Sequence, residues 1–142
     1  MKPQPKLTPV AGFEGRYVAN QILGDQAPIS YSAIPTIVFG PTELAKVGVS
    51  LEAAEAAPDQ YTVKHNEMTH WYTYNRVQDP DAQVWTIVDK KTGRLAGAVV
   101  LASLAEDLID TFAAAIDTGE KPSDLNKIYA YPSAQSDLQY LF

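Results

Sequence analysis

The stretch that most limits what this chain can fold into is residues 83–119, which reads as strand, turn, strand and helix in succession. Val84, Trp85, Thr86, Ile87 and Val88 are β-branched or aromatic, the composition of a pleated and at least half-buried surface. Asp89, Lys90, Lys91, Thr92 and Gly93 then turn the chain. Gly93 can take the positive φ that closes a hairpin loop, and residues 94–101 return as a second, more apolar strand. Two strands of that length need a cover on one face, and the following residues predict it. Ser103 and Glu106 have the spacing of a capping box, and Leu104, Ala105, Leu108, Ile109, Phe112, Ala113 and Ile116 recur at helical spacing up to a stop at Gly119. Such a unit is ordinary core packing and carries no chemistry by itself.

The rest of the chain can be placed against it. Thr8 ahead of Pro9 predicts the N-cap of a helix whose stripe is Phe13, Tyr17, Val18, Ile22 and Leu23, ended by Gly24 and Asp25. Residues 26–32 are polar and irregular, so a domain boundary is expected near residue 27. Residues 34–39 predict a strand, with Pro35 confining it to an edge or a first position, and residues 45–49 a second. Ser50 caps a short helix over 51–57, and residues 60–68 alternate weakly enough for another strand. His70, Trp71, Tyr72, Thr73 and Tyr74 form an aromatic cluster ahead of a turn at 79–81. A short helix begins over 121–125, and residues 129–133 interrupt the way to a last helical turn ending at Phe142. The count is an α+β fold, a mainly antiparallel sheet of about five strands with helices on one side.

Composition narrows the function. A chain of 142 residues with 46% apolar and 20% charged side chains is long enough for one domain with a sizeable core. Its formal charge of −6 disfavours nucleic acid and anionic membrane as partners, and no segment approaches the roughly 18 apolar residues of a bilayer span. The absence of cysteine removes disulfides and thiol nucleophiles and agrees with a cytoplasmic location. His65, Glu67 and His70 have the wrong spacing for two imidazoles on one helical face, so no metal site is expected. No Ser-His-Asp arrangement is visible, which leaves a small hydrolase without a nucleophile and base. Gly93-Arg94-Leu95-Ala96-Gly97 is not a phosphate loop, because its turn leads into a strand and offers no helix N-terminus. The aromatic set Trp71, Tyr72, Tyr74, Tyr129, Tyr131, Tyr140 and Phe142 suits a core and an interface equally. The proline-containing start, Met1 to Lys6, looks like the middle of a connection, so the chain is expected to be cut from a longer protein.

The serial order of several segments carries a resemblance. Ile34-Pro35-Thr36-Ile37-Val38-Phe39, then Glu43 and Val47-Gly48-Val49-Ser50, then Asp89 to Ala98, then the capped helix and Tyr131-Pro132-Ser133, resemble the C-terminal dimerisation domain of the pyridine nucleotide-disulfide oxidoreductases, whose members include glutathione reductase, lipoamide dehydrogenase and mercuric reductase. The resemblance implies that residues 28–142 are the dimerisation domain and that residues 1–27 are the terminal segment of an FAD-binding domain. It implies a parent oxidoreductase, a flavoprotein using FAD and NAD(P)H. This stretch would be its homodimer interface, attached to upstream FAD and NAD(P) domains, binding no cofactor alone and carrying no activity alone. Thr8, Pro9, Val10 and Ala11 match the segment that in the family points a helix N-terminus at the flavin. The family's His-Pro-Thr-x-x-Glu acid/base pair is replaced: Tyr131 stands at the position of the histidine and Ser136 at that of the glutamate, with Asp137 one place off register. A tyrosine of ordinary pKa about 10 is a poor proton shuttle near neutrality, so Tyr131 is either a substitute acid or an interface ring. The alternative for the whole chain is a stand-alone, non-enzymatic binding or self-association module of the same fold.

Overall fold

The hairpin forms over two strands that are later the middle of the sheet. In the computed structural model, which describes residues 5–141, strands β4 (Gln83–Asp89) and β5 (Leu95–Ala102) pair antiparallel with an irregularity between Ile87 and Val88. Asp89 closes the turn: its Oδ1 accepts from the Thr92 amide at 2.8 Å and the Thr92 hydroxyl at 2.9 Å, and Gly93 sits at φ 70°. Outside this pair lie β1 (Thr36–Val38), β2 (Glu43–Gly48) and β3 (Tyr61–Glu67), giving one antiparallel sheet of order β1-β2-β5-β4-β3. The expected strand over 34–39 is shorter than its sequence pattern, because Pro35 brings no amide to a ladder. Gly48 lies opposite Gly97 in the register, and a Cβ on Gly97 would collide with the backbone of Val49. Strand β2 can therefore leave the sheet only across a residue without a side chain.

Helix α4 (Ala105–Thr118) covers one face. Its Leu108, Ile109, Phe112 and Ala113 pack with Ala45 and Val47 of β2, Ala98 and Val100 of β5 and Val84 of β4. The opposite face is less covered, with Val38 and Leu44 exposed and Trp85, Val99 and Leu101 half-buried. The start of α4 departs from expectation: no capping box forms. Leu104 adopts φ 61°, both the amide and the hydroxyl of Ser103 donate to Asp79 Oδ2 at 2.6 Å, and the Ala105 amide donates to Glu43 Oε2 at 2.9 Å. Asp79, held ionised by these bonds, is a stronger acceptor than a neutral hydroxyl, so with Glu43 it supplies acceptors remote in sequence that displace the local cap.

One further element differs from the sequence reading. Residues 72–77 form a short helix, α3 (Tyr72–Val77), ended by Gln78 at φ 58°. Its turns show no apolar periodicity, and the acceptor for the Thr73 amide in its first turn comes from residue 137. Helix α2 (Leu51–Glu55) follows its predicted cap, Ser50, whose hydroxyl accepts from the Ala53 amide at 3.2 Å. The C-terminal part is two 3₁₀ turns, Pro122–Leu125 and Gln135–Leu141, which bring Leu125, Leu138 and Leu141 into the core.

The chain divides into two compact units, the first ending at Tyr31 and the second beginning at Ser32. The first is built on α1 (Thr8–Ile22), against which residue 31 folds back: the Tyr31 hydroxyl donates to Glu14 Oε1 at 2.6 Å and its ring lies 5.6 Å from Phe13. The N-cap is Leu7 rather than Thr8, which is already helical, because Pro9 fits the first turn and Leu7 is left extended at φ −120°. Among the described residues no helix is long and apolar enough to cross a membrane.

Candidate functional site

The turn that carries Tyr131 is built by two serines. Ser133 Oγ donates to the Ala130 carbonyl at 2.7 Å, the Ser136 hydroxyl donates to the Ser133 carbonyl at 2.7 Å, and each serine amide donates to the other's hydroxyl at 3.1 Å. The Tyr131–Pro132 peptide bond is cis. Ser136 is thus buried and occupied within its own turn, while Tyr131 is 65% exposed. The structure places the two substituted positions in different environments.

Asp137, adjacent to Ser136, is completely buried. Its Oδ2 accepts from the Thr73 amide at 2.9 Å, and the Thr73 hydroxyl donates to the Ser133 carbonyl at 3.2 Å. One carboxylate therefore holds the first turn of α3 and, through Thr73, meets the serine turn. Asp137 Oδ1 and the Tyr74 hydroxyl are both buried without a partner among the described residues. Burial pushes the Tyr74 hydroxyl well up, and the negative charges of Asp137, Asp79, Asp107 and Glu106 push it further, so Tyr74 stays neutral.

This link puts aromatic rings from distant parts of the chain together. Tyr72 lies 5.3 Å from Tyr131 at 34°, and Trp71 lies 5.6 Å from Tyr140 at 58°. The aromatic set of the sequence thus divides: Tyr74 is core, Tyr72, Tyr131 and Tyr140 are exposed, and Trp71 and Tyr129 are half-buried. Phe142 lies outside the described residues. The Tyr131 hydroxyl is raised from its ordinary value by lost hydration, then by its neighbours Tyr72, Tyr140 and Asp137. It is a neutral donor near pH 7, not a base.

Thr8, Pro9, Val10 and Ala11 form the first turn of α1. No side chain caps it and no acidic residue lies in it, so the positive end of a 15-residue helix is free to meet a negative group. Lys6 and Glu14 line the same open hollow. At the other candidate positions, His65 stacks on Trp85 at 4.6 Å and its Nε2 lies 3.0 Å from Gln83 Oε1, while Glu67 and His70 are exposed. Among the described residues no three His, Cys, Asp or Glu side chains are grouped to hold a metal ion. Thr73 and Asp137 are the site residues the sequence reading did not assign, and the only signal was an acidic residue one place off register.

Residues 34–141 match the family described as the dimerisation domain of pyridine nucleotide-disulphide oxidoreductases. Among curated proteins, an uncharacterized 19.7 kDa protein in a mercuric resistance operon of Staphylococcus aureus is 34% identical over 137 residues, covering 95% of this chain and 76% of that protein. Dihydrolipoyl dehydrogenase of Bacillus subtilis is 30% identical over 131 residues, covering 91% of this chain and 28% of the enzyme. Among solved structures, a mutant of the HOCl-induced flavoprotein disulfide reductase RclA from Escherichia coli, in its Cu(II) complex, superposes with a TM-score of 0.88 at 25% identity, covering 98% of this chain and 32% of that one.

Proposed function

Because the chain belongs to the family of the pyridine nucleotide-disulphide oxidoreductase dimerisation domain, we propose that it pairs with a second copy of itself and serves as the interface domain of a cytoplasmic, FAD- and NAD(P)H-dependent oxidoreductase. The single observation that carries this is the family match over the whole five-stranded unit, residues 34–141. In this assignment residues 28–142 are the interface domain and residues 1–27 the end of an FAD-binding domain. FAD, when bound, supplies hydride acceptance from the nicotinamide and electron delivery to an acceptor. Thr8, Pro9, Val10 and Ala11 would form the helix end that faces it, with amides to offer only at Thr8 and Val10, since Pro9 has no N–H and the Ala11 amide donates to the Leu7 carbonyl at 2.9 Å; the remainder of its pocket would come from preceding domains.

Tyr131 and Ser136 replace an imidazole and the carboxylate that orients it. Ser136 is consumed by its own turn, and the Tyr131 hydroxyl is held above its ordinary value. We assign Tyr131 to interface packing rather than proton transfer. The parent would then pass electrons to an acceptor that needs no acid/base at this position, or would have lost the dithiol reaction. Light scattering of the chain at micromolar concentration tests the pairing: a particle of two chains is expected, and a strict monomer overturns it. Substituting Tyr131→Phe in a flavin-containing parent tests the assignment of the ring: unchanged flavin reoxidation is expected, and a severe loss would make Tyr131 an acid.

One observation favours a second reading. The S. aureus relative is a 19.7 kDa protein, of which this chain covers 76%, so the fold is also found in a short polypeptide. In that case the chain would act as a stand-alone self-association module. The visible spectrum of the protein made from its natural reading frame separates the two: flavin bands bleached by NADH or NADPH support the reductase, and a colourless product of about this length supports the module.

A further inference from the structure

We propose that Asp137 is a positioning residue for the exposed Tyr72–Tyr131 ring pair, acting through Thr73 on both of the segments that carry the rings. The inference deepens the reading of Tyr131 as an interface residue and names the device that fixes it. Three observations converge. The first is burial: Asp137 and Thr73 are 0% and 2% exposed, so the Asp137 carboxylate and the Thr73 amide have no water to replace each other. The second is connectivity. Thr73 is the only residue between the ring-bearing Tyr72 and the core residue Tyr74, its amide donates to Asp137 Oδ2, and its hydroxyl donates to the Ser133 carbonyl two residues beyond Tyr131. The third is the state of the rings. Tyr72 and Tyr131 stand 5.3 Å apart although both are substantially exposed, so the rings have little packing of their own to fix them. Position is supplied from beneath, by one carboxylate that holds α3 and lies four residues after the serine turn begins.

Local capping does not explain the arrangement. Trp71, the N-cap of α3, offers no side-chain acceptor, and α3 has only six residues, too few to hold its own first turn. The serine turn is closed by Ser133 and Ser136 among themselves and needs no carboxylate. What Asp137 adds is the relation between the two. Its second oxygen has no partner among the described residues, and an amide in place of the carboxylate has nearly the same size.

Fluorotyrosine NMR of the 142-residue chain tests this, with the Tyr131 resonance identified by its loss in Tyr131→Phe. In Asp137→Asn the side-chain oxygen still accepts from Thr73, so the Tyr131 resonance is expected to stay in place. In Asp137→Ala and in Thr73→Val, which keeps the shape and loses the hydroxyl, the resonance is expected to move toward that of free fluorotyrosine, and self-association to weaken by at least threefold. The Thr73→Val variant keeps the test decisive if Asp137→Ala does not fold. An unmoved Tyr131 resonance in Thr73→Val, with only a lowered melting temperature, would overturn the proposal and leave Asp137 as a stability element. Failure of the interface reading is distinguishable, since it appears as Tyr131→Ala with unchanged self-association, whatever the resonance does.

Discussion

Asp79 and Glu43 accept amides at the same junction, ahead of α4, and their protons respond oppositely. Burial raises Asp79, but hydrogen bonds from the Ser103 hydroxyl and amide and from the amides of Asp81 and Ala82 outweigh it and hold it below its ordinary 3.8. Its contribution to stability is present above that ordinary value and is lost as pH falls through the lowered folded value. Glu43 is raised above 4.5, first by its hydrogen bond with Glu106 and then by burial. Its contribution is complete below 4.5 and fades as pH rises through the raised folded value. Glu43→Gln keeps an acceptor for the Ala105 amide and a donor for Glu106 at every pH. Its melting temperature is therefore expected to exceed that of the parent near neutrality, by no more than about 1 kcal/mol of stability, and to match it in acid. Calorimetry across pH checks this, and an equal difference at all pH values would reject it. Asp79→Ala strands the Ser103 amide and should cost about 1–3 kcal/mol, read by urea denaturation. None of these roles was legible in the sequence. An acid that grips an amide tens of residues away leaves no local spacing, and Ser103 with Glu106 offered a better-looking local partner.

The elements fared differently because the information for each lies at a different range. The β4–β5 hairpin and the body of α4 were readable, since turn chemistry and a 3.6-residue stripe are written in neighbouring residues. Helix α3 was not: its six residues read as an aromatic cluster, and the acceptor that starts it is 64 residues away. The start of α4 moved for the same reason. A double-mutant cycle distinguishes the two caps: Ser103→Ala is expected to couple to Asp79→Asn by about 1 kcal/mol and not to Glu106→Gln. Coupling to Glu106 instead would restore the capping box. At the crossing of β2 and β5, Gly97→Ala is expected to destabilise by about 1–3 kcal/mol, as the new methyl meets backbone that cannot swing aside. A fold unaffected by that change would show that the crossing can relax. The family resemblance was readable where serial order survives in the chain; within the site the changed positions Tyr131 and Ser136 could be named, but not the bond from Thr73 to Asp137, which joins residues 64 apart.

At the scale of the whole molecule, pairing must overcome a formal charge of −6 on each copy, so self-association should tighten as salt screens that repulsion. Ile128, fully exposed three residues before Tyr131, is the apolar side chain most clearly offered to a partner. Ile128→Asp is expected to weaken pairing at least tenfold, about 1.4 kcal/mol, with the melting curve of the sheet unchanged, as measured by sedimentation and circular dichroism. Unchanged pairing would move the interface elsewhere on the domain. Among the described residues of the second unit, four amides donate to carboxylates at least 24 residues distant: Ala33 to Asp117, Thr73 to Asp137, Ser103 to Asp79 and Ala105 to Glu43. Their order matters on the ribosome. Glu43 and Asp79 are translated before the amides they receive, so both acceptors are already made when the start of α4 is added. Thr73 waits 64 residues for Asp137. Because Asp137 lies beyond every strand of the sheet in sequence, the Tyr72–Tyr131 surface can take its shape only after all five strands have been translated.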